Sequence, residues 1–518
     1  MLRTLTDLVT QAAGGGFRAA LFWLIFIIGC AMHWLAPRLP MADLPQHAGQ
    51  IAGLADMMRG DFLWGDIAQL NWLTPYLLAY SLAALVTLLL PVTVSIALIL
   101  TAAYASSVLL CLYLRRIWQR APQLDLLFLP GFFGLAWHLG SFSFLVAFPL
   151  ALLFIALCAR QARNPAPSRL LTLTLCGLLL LTAHILAFGF AALIGGLILL
   201  LAPLPLKTRL MQLWPFLIFF MLLLAYPLLV QNNVQAASTL SMGDPSLRLL
   251  NFFHLPLDGD YVRPLTPLFY LLWLLPWICG CGRPSGLRGP AIPFLSLCGL
   301  WLLMPTVLFG TNQIYQRFAV FSLPFFAFLF APPPPEPRHL APERIILAFV
   351  LVASCLFYQA HHVQRFAQED QVFADVLAEL TPERRLLMHI ADSSSPAFGN
   401  RWLYFGWPAW YQAEQRGWVD FNFAFFFPQM VSLRDRNSYS AHYTFAISRN
   451  ASFDWSLLQG QRYDFFLVRG RDQGAHDFIK TLITNSDCTI ERQFVTAEWQ
   501  LYKKISCQPI AREAPGAR

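Results

Sequence analysis

Apolar positions in this chain fall in long unbroken runs and rarely alternate with polar ones. Runs of roughly 17–22 residues match the thickness of a bilayer hydrocarbon core, so each predicts a helix able to cross a membrane. They lie near 19–36, 92–113, 124–140, 142–158, 169–183, 185–202, 211–230, 266–281, 291–309, 315–331 and 343–360, which makes about eleven crossings. After His361 the pattern changes. Gln364–Leu380 has helical periodicity and stops before Pro382. Leu386–Ile390, Tyr463–Val468, Thr489–Val495 and Trp499–Ile505 are rich in aromatic and branched residues and read as strands. The expected fold is a polytopic α-helical membrane module over 1–360, followed by an α/β domain over 361–518 that is long enough to bury its own core.

Composition agrees. The chain is 57% hydrophobic and 12% charged, against about 25% charged in ordinary soluble domains. The first run, Ala19 to Ala36, has no small-residue cleavage site and reads as a retained signal-anchor. A net charge of +8 fits the excess of cytoplasmic Lys and Arg in membrane proteins and does not call for nucleic acid. The same rule fixes topology. If Trp72–Leu90 lies along the outer surface without crossing, Arg115, Arg116, Arg120, Arg160, Arg163, Arg169, Lys207, Arg209, Arg283, Arg288, Arg338 and Arg344 all fall inside. If it crosses, they all fall outside. The expected N-terminus is therefore cytoplasmic, the prolines 332–335 and 337 form a stiff cytoplasmic connector, and three features lie outside: loop 37–91, loop 231–265, and everything after His361. Of ten cysteines, only Cys488 and Cys507 lie in the polar C-terminal region. An outer location permits a disulfide between them; two buried free thiols are the alternative.

Asp43 carries the most chemistry. It stands just past the first span in Asp43-Leu44-Pro45-Gln46-His47. One reading is a capping box, with Asp43 accepting from the Gln46 backbone and Gln46 reaching back. The other is a general base at the membrane surface, taking the proton of an acceptor hydroxyl. His47, one helical turn on, could steer a phosphate or tune Asp43. Asp56, Asp61 and Asp66 follow at five-residue spacing with Gly60 and Gly65 between them, a pattern of turns more than of a metal site. In loop 231–265, Asp258-Gly259-Asp260 could give a magnesium or manganese ion two hard ligands, or be an ordinary turn. Arg263 could pair with a diphosphate. His138 and His184 lie near outer span ends, where ionisable groups tend to face a cavity. Arg317, beside Tyr315 and Gln316, could grip a lipid-linked phosphate or snorkel to headgroups. The aromatic run Trp402–Tyr411 could stack on sugar or form core.

The chain has no GxxxxGK[ST] phosphate loop, no GxGxxG after a strand, no GxSxG elbow and no HExxH helix. An outer-face enzyme without nucleotide would need a donor already carried across the membrane. In layout the chain resembles the GT-C integral-membrane glycosyltransferases, which include protein O-mannosyltransferases, lipid A aminoarabinose transferases and oligosaccharyltransferases. The resemblance rests on a first span, a long outer loop with Leu39-Pro40-Met41-Ala42-Asp43 at its start, a juxtamembrane segment at 72–90 with Pro75-Tyr76, and a terminal outer domain. It departs at Leu44, where many members have Glu, and in lacking a Trp-Trp-Asp-type motif. It implies a bacterial inner-membrane enzyme with Asp43 catalytic; His47, His184, Arg263, Tyr315 and Arg317 are the residues expected from their placement to bind a polyprenyl-phosphate-linked sugar. Transfer to a glycolipid, polysaccharide or protein acceptor would invert the anomeric carbon. A transporter or flippase, and a non-catalytic scaffold in envelope polysaccharide assembly, remain as rival expectations.

Overall fold

The computed structural model describes residues 6–7, 9–230, 240–258, 263–281, 284, 289–308, 311–332, 342–399, 402–426, 428–435, 455, 459–484 and 488–507. Asp260, Arg283, Arg288, Arg338 and the prolines 333–335 and 337 lie outside them. The chain divides into two compact units. The first is Met1–Leu44, Asn71–Ala367 and Ala397–Asn400; the second is Pro45–Leu70, Gln368–Pro396 and Arg401–Arg518. The second unit thus takes in part of loop 37–91, which the hydropathy pattern assigns to the membrane module.

The first unit is helical. Among the described residues, four helical stretches are long and apolar enough to cross a membrane: Phe17–Trp34, Val92–Trp118, Phe142–Arg163 and Pro342–Glu379. Shorter apolar helices lie at Pro167–Ala183, Ile185–Leu200, Trp214–Tyr226, Thr266–Ile278 and Gly289–Leu303. On Pro167–Ala183 the exposed leucines are Leu171, Leu175 and Leu179. Their four-residue spacing makes one apolar stripe, a surface suited to lipid.

Three of the expected spans are not single helices; in 266–281 the 3-10 stretch Tyr270–Leu274 separates the α turns Thr266–Phe269 and Leu275–Ile278. Residues 122–139 form a 3-10 stretch, Pro122–Phe128, then a turn, Gly131–Phe133, then the five-residue helix Leu135–Leu139. Pro130 supplies no N–H, and Gly140 ends the last piece in the left-handed region at φ 79°. The segment is apolar because protein surrounds it: Leu124, Leu127, Phe132, Phe133 and Trp137 are all buried. Residues 315–327 are likewise a 3-10 turn, Tyr315–Phe321, followed by the short helix Ser322–Ala327. Mean hydropathy alone does not separate a chain buried in protein from one immersed in lipid.

Helix Leu77–Thr87 has eleven residues, a length of about 17 Å at 1.5 Å per residue, against the roughly 30 Å of a hydrocarbon core. It is too short to cross. The start of the chain is tied to the end of helix Val92–Trp118: Arg116 pairs with Asp7 at 2.8 Å, Arg115 with Asp125 at 3.1 Å, and the Ala13 N–H donates to Asp125 at 3.0 Å. The start of the chain and the end of helix Val92–Trp118 therefore lie at the same end of this unit.

The second unit is built on a five-stranded mixed sheet of order β3-β2-β5-β7-β6, with β2 Arg385–Ile390, β3 Trp418–Val419, β5 Phe465–Arg469, β6 Cys488–Val495 and β7 Trp499–Cys507. β2 runs parallel to β3 and β5; β5–β7 and β6–β7 are antiparallel. Helix Gln473–Thr484 packs Ala475, Phe478 and Leu482 against Leu387, Phe466 and Val468. The β6–β7 hairpin brings Cys488 opposite Cys507, and the two form a disulfide with their Cα atoms 3.9 Å apart. A separate antiparallel pair joins β1 Ala68–Leu70 to β4 Val431–Leu433. Arg416 binds Asp56 at 3.1 Å, Asp61 at 3.4 Å and Glu383 at 3.3 Å, and Arg385 lies 3.6 Å from Asp66. The evenly spaced aspartates are thus ion-pair partners in this unit. Tyr404, Trp407, Trp410 and Tyr411 are buried core residues.

Candidate functional site

Asp43 ends the chain segment that follows the first span. Its backbone N–H donates to the Leu139 carbonyl at 2.8 Å, and that of Ala42 to the His138 carbonyl at 3.0 Å. Gly140 makes this contact sterically feasible. A Cβ there would come within 2.7 Å of the Leu44 nitrogen and 3.0 Å of the Asp43 nitrogen. The Asp43 N–H is therefore committed to Leu139, and the side-chain amide of Gln46 donates to the Phe421 carbonyl at 3.3 Å. The reciprocal half of the capping box is not made.

Asp43 as a whole residue is half-buried, and burial of its carboxyl raises the pKa from 3.8 to about 6, against the opposing pull of the Arg317 charge. Burial also raises the pKa of Tyr76, again with Arg317 working the other way. Tyr80 lies within electrostatic range of both Tyr76 and Asp43. The first unit thus brings a carboxylate, a guanidinium and two tyrosines from three separated stretches within electrostatic range of one another. Arg317 is weakly held: one terminal nitrogen reaches the Asn312 carbonyl at 3.4 Å, and its Nε is buried without a partner among the described residues. Next to it, Phe318 packs edge-on to Phe144 at 5.3 Å.

The other expected site residues are placed as follows. His184 caps helix Ile185–Leu200 by accepting the Leu186 N–H on Nδ1 at 3.2 Å. That bond puts the proton of a neutral ring on Nε2. Its ring lies 5.1 Å from Tyr76 and 5.0 Å from Phe144, beside the Asp43 group. Tyr315 is held between Arg248, 4.4 Å from its ring centre, and Trp301 at 4.9 Å. His47 belongs to the second unit, edge-on to Phe423 at 5.1 Å.

Arg263 and Asp258 face each other. They are 3% and 2% exposed, and Arg263 Nε donates to Asp258 at 3.0 Å while the second guanidinium nitrogen serves both Asp258 and Gln359. The Thr266 hydroxyl takes another Asp258 contact, and His138 Nε2 stands 3.6 Å away. Burial pushes the Asp258 pKa up, but Arg263 and His138 more than offset this and leave it below the ordinary carboxylate value. Arg263 is therefore held by an internal carboxylate, and its other terminal nitrogen is buried without a partner among the described residues. Asp258 is likewise occupied, Asp260 lies outside the described residues, and no three His, Cys, Asp or Glu among the described residues stand close enough to share a metal ion. Magnesium or manganese finds no group of three such donors among the described residues.

Sequence reasoning missed Leu139, Gly140 and Ser141. Of these only Gly140 carries a signal, as a glycine between two apolar runs.

No protein-family model matches this chain, and no curated protein matches it. Among solved structures, the arabinofuranosyltransferase AftD from Mycobacteria is similar with TM-score 0.45 and 13% identity, over 94% of this chain and 40% of that one. A mutant of the same protein gives TM-score 0.46 and 12% identity, over 93% and 41%. The chain spans about two fifths of the length of these structures. A likeness of this degree leaves the function to be argued from the residues.

Proposed function

We propose that this protein is a membrane glycosyltransferase of the GT-C type that moves a sugar from a polyprenyl-phosphate-linked donor to an acceptor hydroxyl on the outer face of the membrane. Asp43 is the general base. It takes the proton as the acceptor oxygen attacks the anomeric carbon; the bond from that carbon to the phosphate oxygen breaks, and its electron pair leaves with the lipid phosphate. Arg317 balances the charge that develops on the phosphate. A single displacement of this kind inverts the anomeric carbon.

What supports the reading is a carboxyl whose pKa burial raises to about 6 while the Arg317 guanidinium, close enough to act on its charge, pulls the other way. A base serves best when its pKa lies close to the operating pH, where it is ionised yet still takes a proton readily. A loosely bonded guanidinium beside it suits an anion that arrives with the substrate. The rival transport reading uses His138, His184 and Arg317 as cavity-facing groups; of these, His138 lies 3.6 Å from Asp258 and His184 caps a helix.

The test is complementation of a deletion strain with Asp43→Asn. Asparagine keeps the shape and the capping ability but accepts no proton. Surface glycan should be lost at normal protein level; full restoration would refute the reading.

A further inference from the structure

Helix Phe142–Arg163 begins inside the Asp43 group, and its start is unusually bare. Ser141 occupies the N-cap position, where a serine ordinarily accepts a first-turn N–H. Here it makes no cap bond. Its side chain is 2% exposed, and its hydroxyl has no partner among the described residues. The Phe142 N–H turns back to the Gly140 carbonyl at 2.7 Å. The amides of Ser143 and Phe144 have no carbonyl one turn earlier within the helix to bond. Two kinds of donor thus stand at the positive end of a helix of 22 residues.

The surroundings locate this end. Leu139, two residues before Ser141, accepts the Asp43 N–H. Phe142 lies 6.5 Å from the Tyr80 ring, and Phe144 packs on His184 at 5.0 Å and on Phe318, the neighbour of Arg317, at 5.3 Å. Arg317 itself has a buried Nε with no described partner. A buried hydroxyl left unbonded is costly, and its persistence is explained when a ligand completes it. The ligand chemistry that suits a hydroxyl, helix-terminal amides and a guanidinium together is an anion with several acceptor oxygens.

We propose that the Ser141 hydroxyl, the Ser143 and Phe144 amides and Arg317 form a receiving site for a phosphate monoester, the group that leaves with the lipid carrier. This rests on the reading of Asp43 as the base. Ser141 is then a binding residue, which helps fix the anomeric carbon relative to Asp43.

The test uses the purified full chain in detergent, with decyl phosphate as the probe, decanol as the neutral control, and dihexanoyl phosphatidylglycerol as the phosphodiester headgroup control. Wild type should bind decyl phosphate well above both controls. Ser141→Ala should weaken that binding about tenfold, as expected for a lost hydrogen bond to a charged group. Its ligand-free melting temperature should not fall, because the hydroxyl caps nothing. Ser141→Thr should retain most of the binding. Unchanged affinity in Ser141→Ala would overturn the proposal. So would a lowered ligand-free melting temperature or failure to fold, which would mark a structural serine, or a phosphodiester bound as tightly as the monoester, which would mark a headgroup contact. Asp43→Asn separates the two claims: it should bind decyl phosphate at least as well as wild type while transferring no sugar. Persistent transfer would sink the base assignment, whatever Ser141 does.

Discussion

The raised pKa of Asp43 makes a prediction about stability that needs no substrate. Its carboxyl titrates near 6 in the folded protein instead of at the ordinary 3.8, and burial is the main cause. The folded state therefore holds this proton more tightly than the unfolded chain does. Between about pH 4 and pH 6 the folded protein binds more protons, so stability falls as pH rises through that window and levels off above it. A shift of about two units, at about 1.4 kcal/mol each, makes the cost of the ionised form about 3 kcal/mol. That figure already includes the favourable pull of Arg317. Asp43→Asn removes the titration and keeps the side-chain shape. The variant should match wild type near pH 4 and become more stable than it as pH rises, by up to about 3 kcal/mol above pH 7. In thermal melts of detergent-purified protein this is a widening gap of a few degrees at most for a chain of this size. Parallel curves across the window would refute the argument, as would a wild type that gains on the variant with rising pH. A base that is costly to keep ionised is the usual trade of stability against activity.

Other expectations follow from the same geometry. Arg317 holds the Asp43 pKa down, so Arg317→Gln should move the acid limb of the transfer rate to higher pH, and Arg317→Lys should move it back; a limb that does not shift would separate the two residues. Asp258→Asn leaves the buried Arg263 guanidinium without its counter-charge and should cost about 3–5 kcal/mol, read as a lower melting temperature and poor yield. Reduction of Cys488–Cys507, which closes a loop with a sequence separation of 19, should destabilise the second unit by about 3 kcal/mol; hydrogen exchange in β6 and β7 reports it.

The sequence told most where one property decides the outcome. Strong, long apolar runs such as Val92–Trp118 form helices because nothing interrupts them. β2, β5, β6 and β7 fall within a residue or two of the branched and aromatic runs, and Cys488 and Cys507 met because the hairpin between them is local. It told least where distant segments decide. Residues 124–140 are apolar enough for a span, but Pro130 and the glycines around it break the helix, and neighbouring protein supplies the apolar surroundings. Pro45–Leu70 joins the second unit through a three-residue strand pair and Arg416, neither of which has a local pattern. Asp258 pairs with Arg263, a contact that no local pattern around Asp258 marks. Nothing in the sequence around Ser141 marks its hydroxyl, which is buried and has no partner among the described residues.

The measurement that reaches the central claim most directly is the level of sugar-charged polyprenyl phosphate in membranes, by mass spectrometry, in strains carrying wild-type protein or Asp43→Asn at equal abundance. If Asp43 is the base, the variant accumulates the charged carrier while its surface acceptor lacks the sugar. If carrier and acceptor both stay at wild-type levels, Asp43 does not catalyse the transfer.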